Sequence, residues 1–144
     1  MKLCTIGFTK KTAEEFFLKL RAAGVRKIVD VRLNNTAQLA GFSKRDDLRF
    51  FTKGILGAEY VHLPMLAPTQ EMLDEYRKEK RGWEVYEKRF LELMREREIE
   101  KQLEPGMVDG GCLLCSEDKP HQCHRRLVAE YLRNAWGGLE IEHL

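Results

Sequence analysis

Leu3-Cys4-Thr5-Ile6-Gly7, followed by Thr12-Ala13-Glu14-Glu15 and then Lys27-Ile28-Val29-Asp30-Val31, is the stretch that decides the fold. The first run is short and apolar without alternation, as in a strand covered on both faces. Thr12 to Glu15 carries a capping-box pattern, and Phe16, Phe17, Leu20 and Ala23 recur behind it at helical spacing. Gly24 ends that helix, and Lys27 to Val31 is a second apolar strand. Strand, helix, strand in this order is a right-handed parallel crossover. The fold class follows: α/β.

Outward from this unit the same alternation continues. Arg32 to Gly41 is polar and without periodicity, and Ser43-Lys44-Arg45-Asp46 opens a helix running to about Lys53. Glu59 to Leu63 reads as a third strand closed by Pro64. Thr69 to Leu103 reads as two charged helices broken near Gly82, with Trp83, Tyr86, Phe90, Leu93 and Met94 as an apolar stripe. Packing, not chemistry, is the expectation there. Cys112 to Ser116 is the fourth strand, His124 to Ala135 the last helix, and Leu139 to Glu142 a short fifth strand. The whole predicts a doubly wound, mainly parallel sheet of four or five strands with helices on both faces, formed by a single domain over residues 1–144.

Composition narrows the function. The 144 residues are 43% hydrophobic and 33% charged, which suits a packed core under a charged surface. A formal net charge of +2 gives no global basic field for nonspecific nucleic-acid binding. No run of 18 apolar residues occurs, and the N-terminus lacks a signal-peptide pattern, so the expectation is a cytoplasmic protein away from membranes. Four cysteines, Cys4, Cys112, Cys115 and Cys123, are few for a disulfide scaffold and point to free thiols or a metal. No glycine-rich phosphate motif is present, and neither Cys115 nor Cys123 is followed by the Arg of a Cys-x5-Arg phosphatase loop.

The chemistry is concentrated in Cys115-Ser116-Glu117 and in Pro120-His121-Gln122-Cys123-His124-Arg125-Arg126. Here a strand runs through a polar turn into a helix, whose first N–H groups and dipole favour an anion or a thiolate. Cys123 is the candidate nucleophile, with His62 or His124 moving protons. Arg32 and Arg125 are the candidate anion-binding residues, and Asp30 and Glu117 would orient a histidine or an arginine. A zinc reading competes, with Cys115, Cys123 and either His121 or His124 as ligands. Cys112 drops out of it, because strand residues three apart face opposite ways. Asp30, Arg32, His62, Cys115, Glu117, Cys123 and Arg125 should therefore converge beyond the carboxyl ends of the strands.

Four blocks extend this reading: Thr5-Ile6-Gly7-Phe8, Ile28-Val29-Asp30-Val31-Arg32, Tyr60-Val61-His62-Leu63-Pro64, and Leu114-Cys115-Ser116-Glu117 with Cys123-His124-Arg125. In these the chain resembles a family defined only as a domain of unknown function, DUF488. Its features, as the resemblance has them, are a strand-end Asp-Val-Arg and a Cys-Ser/Ala-Glu with a downstream Cys-His-Arg, with no reaction attached. The family commonly has His where Phe8 stands here, so a role for that histidine is absent or replaced.

Two functions from different classes remain. One is an enzyme whose crevice binds an anionic small molecule, nucleotide or nucleic-acid fragment and which uses a reactive cysteine without a cofactor. The other is a noncatalytic module, zinc- or nucleic-acid-binding, built on Cys115, Cys123 and a histidine.

Overall fold

The computed structural model describes residues 1–36 and 41–144; part of the polar stretch from Arg32 to Gly41 thus lies outside the described residues. Five strands, β1 (Lys2–Gly7), β2 (Lys27–Asp30), β3 (Glu59–His62), β4 (Gly111–Cys115) and β5 (Glu140–His143), form one sheet in the order β3-β2-β4-β1-β5. Every pairing is parallel. Between the strands run α1 (Ala13–Ala22), α2 (Arg45–Phe51), α3 (Gln70–Arg77), α4 (Trp83–Arg97), α5 (Ile99–Gln102) and α6 (His124–Trp136). The α/β reading holds, with strand bounds within one residue of those expected.

Local chemistry accounts for the helix ends. The Thr12 hydroxyl accepts from the Glu15 N–H at 3.1 Å and donates to the Glu15 carboxylate at 3.2 Å, a variant of the capping box expected for α1. Thr69 caps α3 in the same way through the Met72 N–H. Gly24 takes φ +67°, the left-handed conformation that turns the chain out of α1 toward β2. Glu98, also left-handed at φ 50°, separates α5 from α4, a break the apolar stripe alone does not reveal.

Alternate strand residues feed two cores. Cys4, Ile6, Ile28, Cys112 and Leu114 pack with Phe16, Phe17, Leu20 and Leu48 of α1 and α2. On the opposite face, Leu3, Val29, Leu113 and Cys115 pack with residues of α3 to α6, Phe90, Met94 and Leu132 among them. Burial on both faces is why these strands read as continuous apolar runs.

This layering positions the site. β2 is followed by α2 on one face, whereas its neighbour β4 is followed by α6 on the other. The two chains diverge beyond adjacent strand ends, and a crevice opens between them, as at the switch point of doubly wound sheets. The register levels those ends: Asp30 lies opposite both Leu114 and His62, and Gly7 opposite Cys115. Among the described residues no helix is long and apolar enough to cross a membrane.

Candidate functional site

A cavity of about 150 Å³ lies at this switch point. From the chain just past β2 comes Arg32, from the end of β4 and the turn after it come Cys115, Ser116 and Glu117, and from the start of α6 come Cys123 and His124. Five of the predicted site residues thus share one cavity. Asp30, His62 and Arg125 do not line it, and each has another task.

Asp30 is fully buried and grips Arg32: its carboxylate accepts from Nε at 2.9 Å, from Nη2 at 2.8 Å and from the Arg32 backbone N–H at 3.1 Å. Tyr60 donates its hydroxyl to the same carboxylate at 2.5 Å, and Asn35 adds an amide donor at 3.3 Å. Burial pushes the Asp30 carboxyl up, but the Arg32 hydrogen bonds and charge, with the Tyr60 hydroxyl, outweigh it and leave the group below its ordinary range. Asp30 thus holds the Arg32 guanidinium and its main-chain N–H together. Arg32 keeps one guanidinium nitrogen, Nη1, buried without a hydrogen-bond partner among the described residues.

His62, expected to move protons, braces the main chain instead. Its Nε2 donates to the Arg32 carbonyl at 2.7 Å, away from the cavity lining. Arg125 likewise departs from its expected role in anion binding. The guanidinium is fully buried, donating from Nη1 to the Glu117 carbonyl at 2.5 Å and from Nη2 to the Asp118 carbonyl at 3.2 Å. Those bonds clamp the turn after β4, because backbone carbonyls held away from water need donors.

Cys115, Cys123 and His124 form the centre of the site. All three are buried, and their sulfur and ring-nitrogen atoms lie within 4.8 Å of one another. His124 Nε2 lies 2.7 Å from the Val31 carbonyl, which can only accept, so Nε2 carries a proton and Nδ1 is the ring nitrogen turned to the cluster. That Nδ1 lies 3.6 Å from the Cys115 sulfur, while Phe90 packs on the imidazole with centroids 5.5 Å apart. His121, the alternative histidine, is exposed and outside the cluster, its carbonyl accepting from Arg126.

The thiols divide otherwise than the sequence suggested. Cys123 stands at the helix start as expected, but its thiol is pushed up, first by donating to Cys115 and then by burial. Cys115 is drawn below the ordinary thiol range by that same bond, against burial and with help from the Ser116 and Glu117 N–H groups and the Arg125 charge. Of the two thiols Cys115 is therefore the one drawn down and Cys123 the one pushed up, the neighbouring sulfur acting on Cys123 against the dipole of α6. Cys112 faces the other core with Cys4, and burial raises both thiols.

Sequence reasoning missed the far wall. Tyr76 and Arg77 of α3 and Trp83 and Tyr86 of α4 line the cavity, although these helices were expected only to pack. Trp83 stacks on Tyr86 with centroids 5.1 Å apart, and Tyr76 meets the Trp83 ring edge-on at 5.8 Å. A signal did exist, since half of the chain's tryptophans and tyrosines fall between 76 and 86.

A family model matches residues 12–132, which takes in the Asp30 to Arg32 block, Cys115-Ser116-Glu117 and Cys123-His124-Arg125. The chain belongs to the DUF488 family, described as a domain of unknown function. No curated protein and no solved structure gives a significant match. Membership in DUF488 therefore brings no reaction with it, and any functional reading rests on the cavity.

Proposed function

We propose that this DUF488 protein is an enzyme that binds an anionic ligand in the switch-point cavity and acts on it at a zinc centre held by Cys115, Cys123 and His124. The observation that carries this reading is the donor triangle with its locked histidine. Zn–S bonds of about 2.3 Å and Zn–N bonds of about 2.0–2.1 Å, meeting at a tetrahedral angle, put sulfur and nitrogen about 3.5–3.6 Å apart. The Cys115 sulfur and His124 Nδ1 are separated by 3.6 Å. The Val31 carbonyl holding the other ring N–H is the outer contact that ligating histidines ordinarily have. Two thiolates also cancel a divalent charge, which makes the ion compatible with a buried site.

Three protein ligands with a cavity beside them leave a fourth position for water or substrate, the arrangement of catalytic rather than structural zinc. Zinc in such a site makes a bound water acidic near neutral pH. Glu117, on the same cavity wall and outside the donor triangle, is the residue suited to take a proton there. Arg77, exposed at the cavity with no ion pair among the described residues, supplies the positive charge for an anion, beside the Asp30-paired Arg32. The open cavity favours this reading over a noncatalytic zinc module.

Elemental analysis of protein purified without added metal should find about one equivalent of zinc per chain. Cys123→Ser and His124→Ala should each lose most of it while circular dichroism still reports a folded chain. Alkylation read by mass spectrometry provides a second check, because Cys115 and Cys123 should be protected together and released together by a chelator. Protein that is free of metal, takes up none on dialysis against zinc and alkylates first at Cys115 would overturn the zinc centre in favour of a bare thiol.

A further inference from the structure

We infer that the ligand of this cavity carries a single flat ring with an acidic substituent, the ring lying against the Trp83 and Tyr76 wall and the acid meeting Arg77 and Arg32. The inference rests on the cavity being a ligand site, as proposed above, but not on the identity of the metal.

Size comes first. At about 150 Å³ the cavity has room for one six-membered ring, with any further part of the ligand lying in its opening. Shape comes second. Tyr76, Trp83 and Tyr86 sit together on one wall, and Trp83 and Tyr76 are only half-buried while the deeper Tyr86 is 5% exposed. Half-exposed aromatic rings lining a concavity offer a stacking surface to a planar ligand.

Charge comes third. Asp30 already neutralises Arg32 through Nε and Nη2, yet among the described residues Nη1 has no partner on a side chain only 3% exposed. A buried donor in that condition is costly, and Arg32 is one of the residues lining the cavity. Arg77 adds a cation that Asp30 does not offset. Glu117 is the one acid on the wall among the described residues and would accept from a ring N–H, which favours a nitrogen heterocycle over a hydrocarbon ring.

Isothermal titration with five probes separates these elements: orotate, uridine 5′-monophosphate, benzoate, uracil and inorganic phosphate. Orotate has the ring, the ring N–H and the acid together, and should bind on the order of tenfold or more tighter than uracil or phosphate. Benzoate should fall between. Uridine 5′-monophosphate binding more tightly than orotate would identify a nucleotide as the source of the ring, and the reverse order a free heterocyclic acid; either order supports the inference. Arg77→Glu, an exposed change that spares the core, should weaken orotate several-fold and leave uracil unaffected. Trp83→Leu should weaken every ring-bearing probe and leave phosphate unaffected.

Phosphate binding as tightly as orotate and the nucleotide, or no loss of orotate affinity in Arg77→Glu, would overturn the inference. Titrations run with and without bound zinc keep the two readings apart. Ring-dependent binding to a protein that never holds zinc would sink the metal centre and leave this inference standing, whereas a zinc-loaded protein indifferent to the ring would do the reverse.

Discussion

Asp30→Ala is expected to cost about 3–5 kcal/mol of folding stability, the penalty for removing one partner of a buried ion pair. The carboxylate is the hub of its network, accepting from Arg32 at two guanidinium nitrogens and the main chain, and from Tyr60 and Asn35. Without it Arg32 would be a cation 3% exposed with no anion, beside a Tyr60 hydroxyl with no acceptor. Tyr60→Phe removes the charged hydrogen bond to Asp30 together with an acceptor of the Asn35 amide, and should cost about 1.5–3 kcal/mol. The same carboxyl sets a pH dependence. Its folded pKa lies below its unfolded value of about 3.9. The contribution is therefore fully present above that unfolded value and is lost as pH falls through the folded one. Urea unfolding of wild type and Asp30→Ala should show a constant gap from neutral pH down to about pH 5 and a narrowing gap below the ordinary carboxylate range. A gap unchanged to the acid limit, or a variant as stable as wild type at pH 7, would mean that Arg32 finds another partner.

The architecture was legible because its determinants are local. Thr12 and Glu15 announce the start of α1 by their own hydrogen bonds, and strands buried on both faces show as apolar runs whatever lies against them. From strand ends alone the switch-point rule brings Arg32, Cys115, Glu117, Cys123 and His124 to one edge, where the cavity lies. Arg125 and His62 occupy that edge too, but their direction is set by which carbonyls need donors. Those carbonyls belong to Glu117, Asp118 and Arg32, and no spacing rule reveals them. The influence of one sulfur on the other was hidden for a related reason. A helix start beside cations lowers a cysteine, and Cys123 meets that condition, but a second sulfur across the turn pushes it up. The aromatic wall escaped because an amphipathic stripe looks the same whether it faces a core or a cavity.

Gly7→Ala is expected to be as damaging as the loss of Asp30, through backbone alone. A Cβ at residue 7 would stand 1.6 Å from the Glu117 carbonyl oxygen and 2.5 Å from its carbon, distances at which main chain must move. Gly7 pairs in register with Cys115, so the strand that must yield is the one leading into the site. It cannot yield freely: the Thr9 N–H and hydroxyl both donate to the Ser116 carbonyl, at 3.1 and 2.8 Å, and Arg125 clamps Glu117 and Asp118. Moving the turn would part Arg125, whose Nε already lacks a partner among the described residues, from its acceptors and leave a buried cation. Overpacking of about 1–3 kcal/mol, added to about 1–3 kcal/mol for leaving buried donors unsatisfied, gives a total of about 2–6 kcal/mol, or on the order of 10 °C in Tm. Gly106→Ala, where an added Cβ meets nothing within 4 Å, is the control and should stay within about 0.5 kcal/mol of wild type. Because the turn continues directly from Cys115, Gly7→Ala should also bind zinc less tightly than Gly106→Ala. A Gly7→Ala protein of wild-type stability and metal content would show that the turn can retreat without Arg125, and that the clamp does not hold the site in place.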